Sequence, residues 1–162
     1  LAVVRELRDA RVRMRPLFED ELVLVARPDQ PFALAGAVDI DAIHRAQLIL
    51  FDRTSSYYDL TQALFRSMGV VPRGVMELDN IEAAKRMVER GLGVALLPGT
   101  AVAGSLQAGS LREVRLVGAP PIRRRMVLIE RGRGVQPETV APFVALLDRI
   151  PELIPRAQAV MA

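Results

Sequence analysis

The chain has 162 residues, a net charge of +3, 51% hydrophobic and 25% charged residues, and no cysteine. That length builds one ordinary domain or two small lobes with a real core, and the balance is that of a globular protein. Disulfides, thiolate metal sites and cysteine nucleophiles are excluded, and no apolar run approaches the roughly 18 residues that a membrane-spanning helix needs. A pI near 10.1 invites a nucleic-acid partner, but apart from Arg123, Arg124 and Arg125 the arginines are dispersed, which is weak evidence for a phosphate-binding face.

In chain order, "LAVV" at the start reads as a strand, followed by "LVLVA" at 22–26. A Pro/Gly-rich break, "ARPDQPFALAG" (26–36), comes next, and "DAIHRAQL" reads as a short helix carrying His44. "LILF" (48–51), "VALL" (94–97) and "MVLI" (126–129) do not alternate, so each reads as a strand covered on both faces; "GVMEL" (74–78) is a weaker strand. Two helices lie between these strands. In "YYDLTQALFRSMG", Leu60, Leu64, Phe65 and Met68 share one face and Gly69 stops the helix. In "DNIEAAKRMVERG", Ile81, Ala84, Met87 and Val88 point inward and Gly91 ends it. Ser56 with Asp59, and Asp79 with Glu82, read as capping pairs. After the break "VGAPP" (117–121), a third helix is expected over 137–150, with Pro142 kinking or delaying it.

The middle of the chain is thus a strand–helix–strand–helix–strand unit over about 47–98. The two ends join into a second lobe, reached by crossing a hinge twice. The expected division is 1–45 plus 119–150 for the first lobe, 46–118 for the second, and 151–162 as a C-terminal tail.

Catalytic signatures are absent. His44 is the single histidine, no G-x-S-x-G elbow surrounds Ser55 or Ser56, and "GLGVALLPG" matches neither a Walker loop nor G-x-G-x-x-G. Asp9, Glu19, Asp20 and Glu21 read as solvated charges, and no cluster has metal-ligand spacing. The expectation is a non-enzyme without cofactor or metal. What remains is a ligand site outside the carboxyl ends of the strands, where helix N-termini converge. "DRTSS", "DN" (79–80) and "LPGT" follow three successive strands. Ser56 and Asp79 are expected to cap helices; three adjacent hydroxyls exceed that need, which makes Thr54 and Ser55 the leading contacts.

"RPLFEDELVLVARPDQPFA" (15–33), "LILFDRTSSYYDLTQALFRSMGVVPR" (48–73) and "IEAAKRMVERGLGVALLP" (81–98) together resemble the effector-binding region of LysR-type transcriptional regulators, over residues 1 to about 150. The resemblance implies an α/β, two-lobed periplasmic-binding-protein-like fold with an incomplete first lobe, and a small-molecule inducer, often carboxylated, held between the lobes. It also implies a cytoplasmic bacterial regulator, a homodimer or homotetramer, without membrane attachment. Promoter DNA would be met only through a helix-turn-helix domain that this sequence does not contain, so the chain reads as N-terminally truncated. Carried over by position, the ligand-binding candidates are Thr54, Ser55 and Ser56, with Arg5 as a carboxylate partner and Asn80 and Pro98 at the other turns. The competing readings are a fragment of a transport system's solute-binding protein, an enzyme of related two-lobed fold, and a purely structural oligomerisation domain.

Overall fold

The computed structural model describes residues 1–7, 9, 12–131 and 140–160. In chain order its elements are β1 (Ala2–Arg5), β2 (Val12–Ala26), α1 (Pro31–Ala35), β3 (Ala37–Asp39), a 3-10 helix (Ile40–Arg45), β4 (Gln47–Phe51), α2 (Ser56–Ser67), β5 (Gly74–Leu78), α3 (Ile81–Glu89), β6 (Val94–Pro98), α4 (Gly99–Gln107), β7 (Arg112–Val117), β8 (Ile122–Arg131), α5 (Ala141–Asp148) and α6 (Ile150–Leu153). The chain divides into two units, Leu1–Glu21 with Arg123–Ala162, and Leu22–Ile122. The crossings therefore come at Glu21/Leu22, inside β2, and at Ile122/Arg123, inside β8. The division expected from the sequence puts them at 45/46 and 118/119, flanked by the Pro/Gly-rich breaks 26–36 and 117–121. Residues 22–45, assigned above to the first lobe, are grouped with β4–β6, because β2 is extended from Val12 to Ala26 and its second half pairs there.

The first unit has the strand order β1-β8-β2, with β1 and β8 antiparallel and Ala2 opposite Ile129. Its core is small: Leu17, Leu128 and Leu147 are buried, with Phe18, Val144 and Ile150 against them. Helix α5 begins at Ala141 with Pro142 in its first turn, where the missing N–H costs nothing; residues 137–139 of the expected helix lie outside the described residues. The acidic run is not simply solvated. Arg125 donates to Glu19 at 2.9 and 3.1 Å, Arg123 pairs with Glu21 at 3.5 Å, and Asp20 is 4% exposed. Gln158, in the expected tail, exchanges backbone hydrogen bonds with Glu19 at 2.8 and 2.9 Å.

The second unit has the order β5-β4-β6-β2-β7-β3. β4 is parallel to both β5 and β6, while β2 is antiparallel to β6 and β7. Leu48, Ile49, Leu96 and Leu97 are fully buried, as parallel strands covered on both faces require. The expected helix faces are inward: Leu64, Phe65, Ala84 and Val88 are buried, and Leu60, Met68, Ile81 and Met87 pack against them. Elements β3, β7, α1 and α4 had no sequence expectation.

One close approach sets the spacing of the parallel strands. A Cβ on Gly93, just before β6, would lie 2.5 Å from the Gln47 carbonyl oxygen at the start of β4, so any side chain there forces backbone apart. Gly93→Ala is expected to destabilise the chain by about 1–3 kcal/mol in urea unfolding. Gly104→Ala, in α4, where an added Cβ meets nothing within 4 Å, is expected to be neutral or to stabilise by up to about 1 kcal/mol.

Candidate functional site

The parallel strands β5, β4 and β6 end side by side. Phe51 is opposite Leu78, and the β4–β6 register, with Leu48 opposite Val94, carries the end of β4 to the end of β6. Each strand is followed by a helix, so the N-termini of α2, α3 and α4 all meet this edge. From β4 the chain proceeds through α2 to β5 on one side. From β6 it proceeds through α4 to β7, on the other side of β2. The connections diverge between the carboxyl ends of β4 and β6, the place where open α/β sheets hold ligands.

The loop after β4 is organised by Asp52. Its N–H donates to the Leu78 carbonyl at 3.0 Å, joining the ends of β4 and β5. Its carboxylate accepts from the Thr54 hydroxyl at 2.6 Å and the Thr54 N–H at 2.9 Å, and its carbonyl accepts from the Ser55 N–H at 3.1 Å. The Thr54 hydroxyl, aided by the Thr54 N–H, holds the Asp52 carboxyl below its ordinary value, against an opposing desolvation. Asp52 stood in the "DRTSS" stretch without being singled out. The signal was available, since an Asp two residues before a Thr in a turn favours this kind of side-chain-to-backbone closure.

Ser55, not Ser56, caps α2: its backbone is extended and its Oγ accepts from the Tyr57 N–H at 3.2 Å. Ser56 is the first helical residue. The cap sits one residue earlier than expected because Asp52 closes the loop onto Thr54 and Ser55, and because Tyr57 packs its ring on Phe51, 4.9 Å between centroids. The same one-residue difference recurs at α3, but in the other direction. Asn80 rather than Asp79 is the cap, its Oδ1 accepting from the Ala83 N–H at 3.0 Å.

These bonds decide what each candidate has left to offer. The Ser55 hydroxyl accepts and keeps its own proton free for a ligand among the described residues, and Asn80 likewise keeps its amide NH2. Thr54 has already donated its hydroxyl proton. Pro98, buried, is the N-cap of α4 and brings no side-chain cap to that helix, whose first turn starts at the buried Gly99. Arg5 is exposed at the end of β1, in the first unit, opposite Met126. The structure thus brings Thr54, Ser55, Ser56, Asn80 and Pro98 to one edge of one sheet.

Among the described residues, no group of three or more His, Asp or Glu side chains is arranged to hold a metal ion. His44 lies at the opposite edge of the sheet, before β4, with Nδ1 2.9 Å from the Val71 carbonyl. No helix among the described residues is long and apolar enough to cross a membrane.

Because the Asp52 carboxyl is depressed in the folded chain, its contribution to stability is present above the ordinary carboxylate range and is lost as pH falls through the lowered value. Thr54→Val is expected to raise the Asp52 carboxyl toward its ordinary value in an NMR titration of the side-chain carboxyl carbon. Ser55→Ala, which removes a cap, is expected to cost about 1 kcal/mol in urea unfolding.

The LysR substrate binding domain family matches residues 1–150 of the chain. A probable RuBisCO transcriptional regulator of Cyanidioschyzon merolae is 30% identical over 133 residues, covering 80% of this chain and 44% of the relative. The HTH-type transcriptional regulator YeiE of Escherichia coli K12 is 38% identical over 111 residues, covering 68% and 36%. The chain therefore spans less than half the length of these relatives. Among solved structures, the CcmR regulatory domain of Synechocystis PCC6803 in complex with 2-PG superposes with a TM-score of 0.77 at 23% identity, covering 91% of this chain and 71% of that one. The effector-binding domain of QuiR in complex with shikimate gives 0.73 at 18% identity, covering 93% and 71%. These likenesses carry the α/β, periplasmic-binding-protein-like fold, and with the match over residues 1–150 they make the chain a member of the LysR substrate-binding domain family.

Proposed function

We propose that this chain is the effector-sensing part of a LysR-type transcriptional regulator, that it catalyses no reaction, and that it binds a small anionic metabolite. The observation that carries the reading is the convergence of three helix N-termini on one edge of the β5-β4-β6 sheet, at the point where the connections diverge. Partial positive charge gathers there without any side chain. The Ser55 hydroxyl and the Asn80 amide supply directed donors, the first turn of α4 has no side-chain cap from its N-cap residue, and Pro98 shapes the turn. Thr54 and Ser56 complete the loop that the ligand meets. Arg5, exposed and without an ion pair among the described residues, is proposed as a ligand-contacting cation in its own unit.

The relatives named above as transcriptional regulators support the regulatory role. The regulatory domains in complex with 2-PG and with shikimate support a small ligand. Promoter DNA would be contacted by a part of the protein outside this chain. Self-association as a homodimer or homotetramer and a cytoplasmic location belong to the same proposal. None of the relatives and structures named above favours a transport role.

A ligand that binds only the folded chain raises its stability by RT ln(1 + [L]/Kd). A panel of small carboxylates and phosphorylated metabolites, with 2-PG and shikimate included, is therefore expected to contain compounds that raise the melting temperature. Ser55→Ala and Asn80→Ala should weaken binding of such a compound by about tenfold each, the effect of losing a hydrogen bond to a charged group. Thr54→Ala should weaken it less, and Arg5→Ala should weaken binding of carboxylates. Unchanged affinity in both Ser55→Ala and Asn80→Ala would remove the edge assignment.

A further inference from the structure

The opposite edge of the same sheet carries a second group of charges. The β4–β5 register places Gln47 opposite Gly74. Arg45 and Arg73, two residues and one residue before those partners, are thereby brought to one place. With Asp41 and His44 they line a cavity of about 370 Å³. Arg45 and Arg73 are exposed, and neither makes an ion pair among the described residues; the same holds for Asp41.

His44 is held in a defined orientation. Its Nδ1 lies 2.9 Å from the Val71 carbonyl oxygen, which only accepts, so Nδ1 carries the proton of that bond. The remaining ring nitrogen, Nε2, is bare in the neutral ring and becomes a donor when the ring is protonated. The charged groups facing the ring are Asp41 and Arg45 from its own 3-10 helix and Arg73 from the segment leading into β5.

From this arrangement we infer a second anion site, for a doubly charged oxyanion of the sulfate or phosphate type, at the N-terminal edge of β4 and β5. Two guanidinium groups supply forked donors suited to such oxygens. When its ring is protonated, His44 adds a third cation against the one carboxylate of Asp41, and the net charge is then equal and opposite to that of a dianion. The site is at the far end of the strands from Ser55 and Asn80, so it stands or falls independently of the effector edge.

His44 is the only histidine in the chain, so its ring signals report the site without assignment ambiguity. Sulfate is titrated into the full chain at ionic strength fixed with chloride, and the His44 ring carbon–proton signals are followed by NMR. The expected result is a saturable shift of those signals. Arg45→Ala and Arg73→Ala should each weaken binding by about tenfold, Asp41→Asn should strengthen it several-fold, and Arg66→Ala, on the exposed face of α2, should leave it unchanged. A shift that grows linearly with sulfate, or that chloride reproduces, would overturn the site. So would wild-type affinity in both arginine variants.

Discussion

Parallel pairing is the constraint from which the rest of the second unit follows. A strand cannot turn directly into a parallel neighbour, so the chain must return across the sheet before pairing again. β4, β5 and β6 therefore all run the same way, and the helices between them fill the faces. This demands strands that tolerate apolar cover on both sides, which explains Leu48, Ile49, Leu96 and Leu97 at the centre. It also demands that every outgoing helix start at one edge. The edge proposed to meet the effector is thus a by-product of strand direction, and it exists before any polar side chain is placed on it. The absent side chain at Gly93 keeps the spacing between β6 and β4 that the pairing needs.

The hydrogen-bonding groups at that edge are divided between holding the fold and facing outward. Backbone N–H groups in the first turn of a helix have no partner within it. At α2 and α3, Ser55 and Asn80 satisfy some of them with oxygen atoms, which leaves the hydrogen atoms of the same side chains without an acceptor among the described residues. One side chain thus stabilises a helix and presents a donor. At α4 the N-cap residue, Pro98, has no side chain to take the first role, and the Pro98–Gly99 turn is buried.

Much of this was readable from the amino-acid sequence. The unalternating runs 48–51 and 94–97 announced buried strands, and the spacing of Leu64, Phe65, Ala84 and Val88 announced the helix faces. The caps were misplaced by one residue because several capping residue types stand next to one another. "TSS" and "DN" each permit more than one start; at "TSS" the cap falls on Ser55, beside the Asp52–Thr54 closure and the Phe51–Tyr57 ring contact, which joins residues on different elements. β7 and α4 escaped notice for a different reason. "REVRLV" buries Val114 while its neighbours are largely exposed, and "GTAVAGSLQ" is a helix of small residues whose burial at Val102 is decided by what packs over it. The long strand β2 was recognised only in its apolar half, since Val12–Glu21 is rich in charge that finds its partners on β8 and α5.

The bond between Thr54 and Asp52 has a consequence for selectivity. An acceptor-only anion that approaches this loop meets a hydroxyl whose proton is already engaged and a carboxylate that repels it. A molecule bearing both an anionic group and a hydroxyl can exchange partners with the loop: it donates to Asp52, releases the Thr54 proton, and receives that proton on its own oxygen. Such a trade conserves the number of hydrogen bonds, whereas a simple anion must break one to form one and face an uncompensated charge. In the function proposed above, the loop would therefore discriminate by bonding pattern, in favour of hydroxylated anions over bare ones.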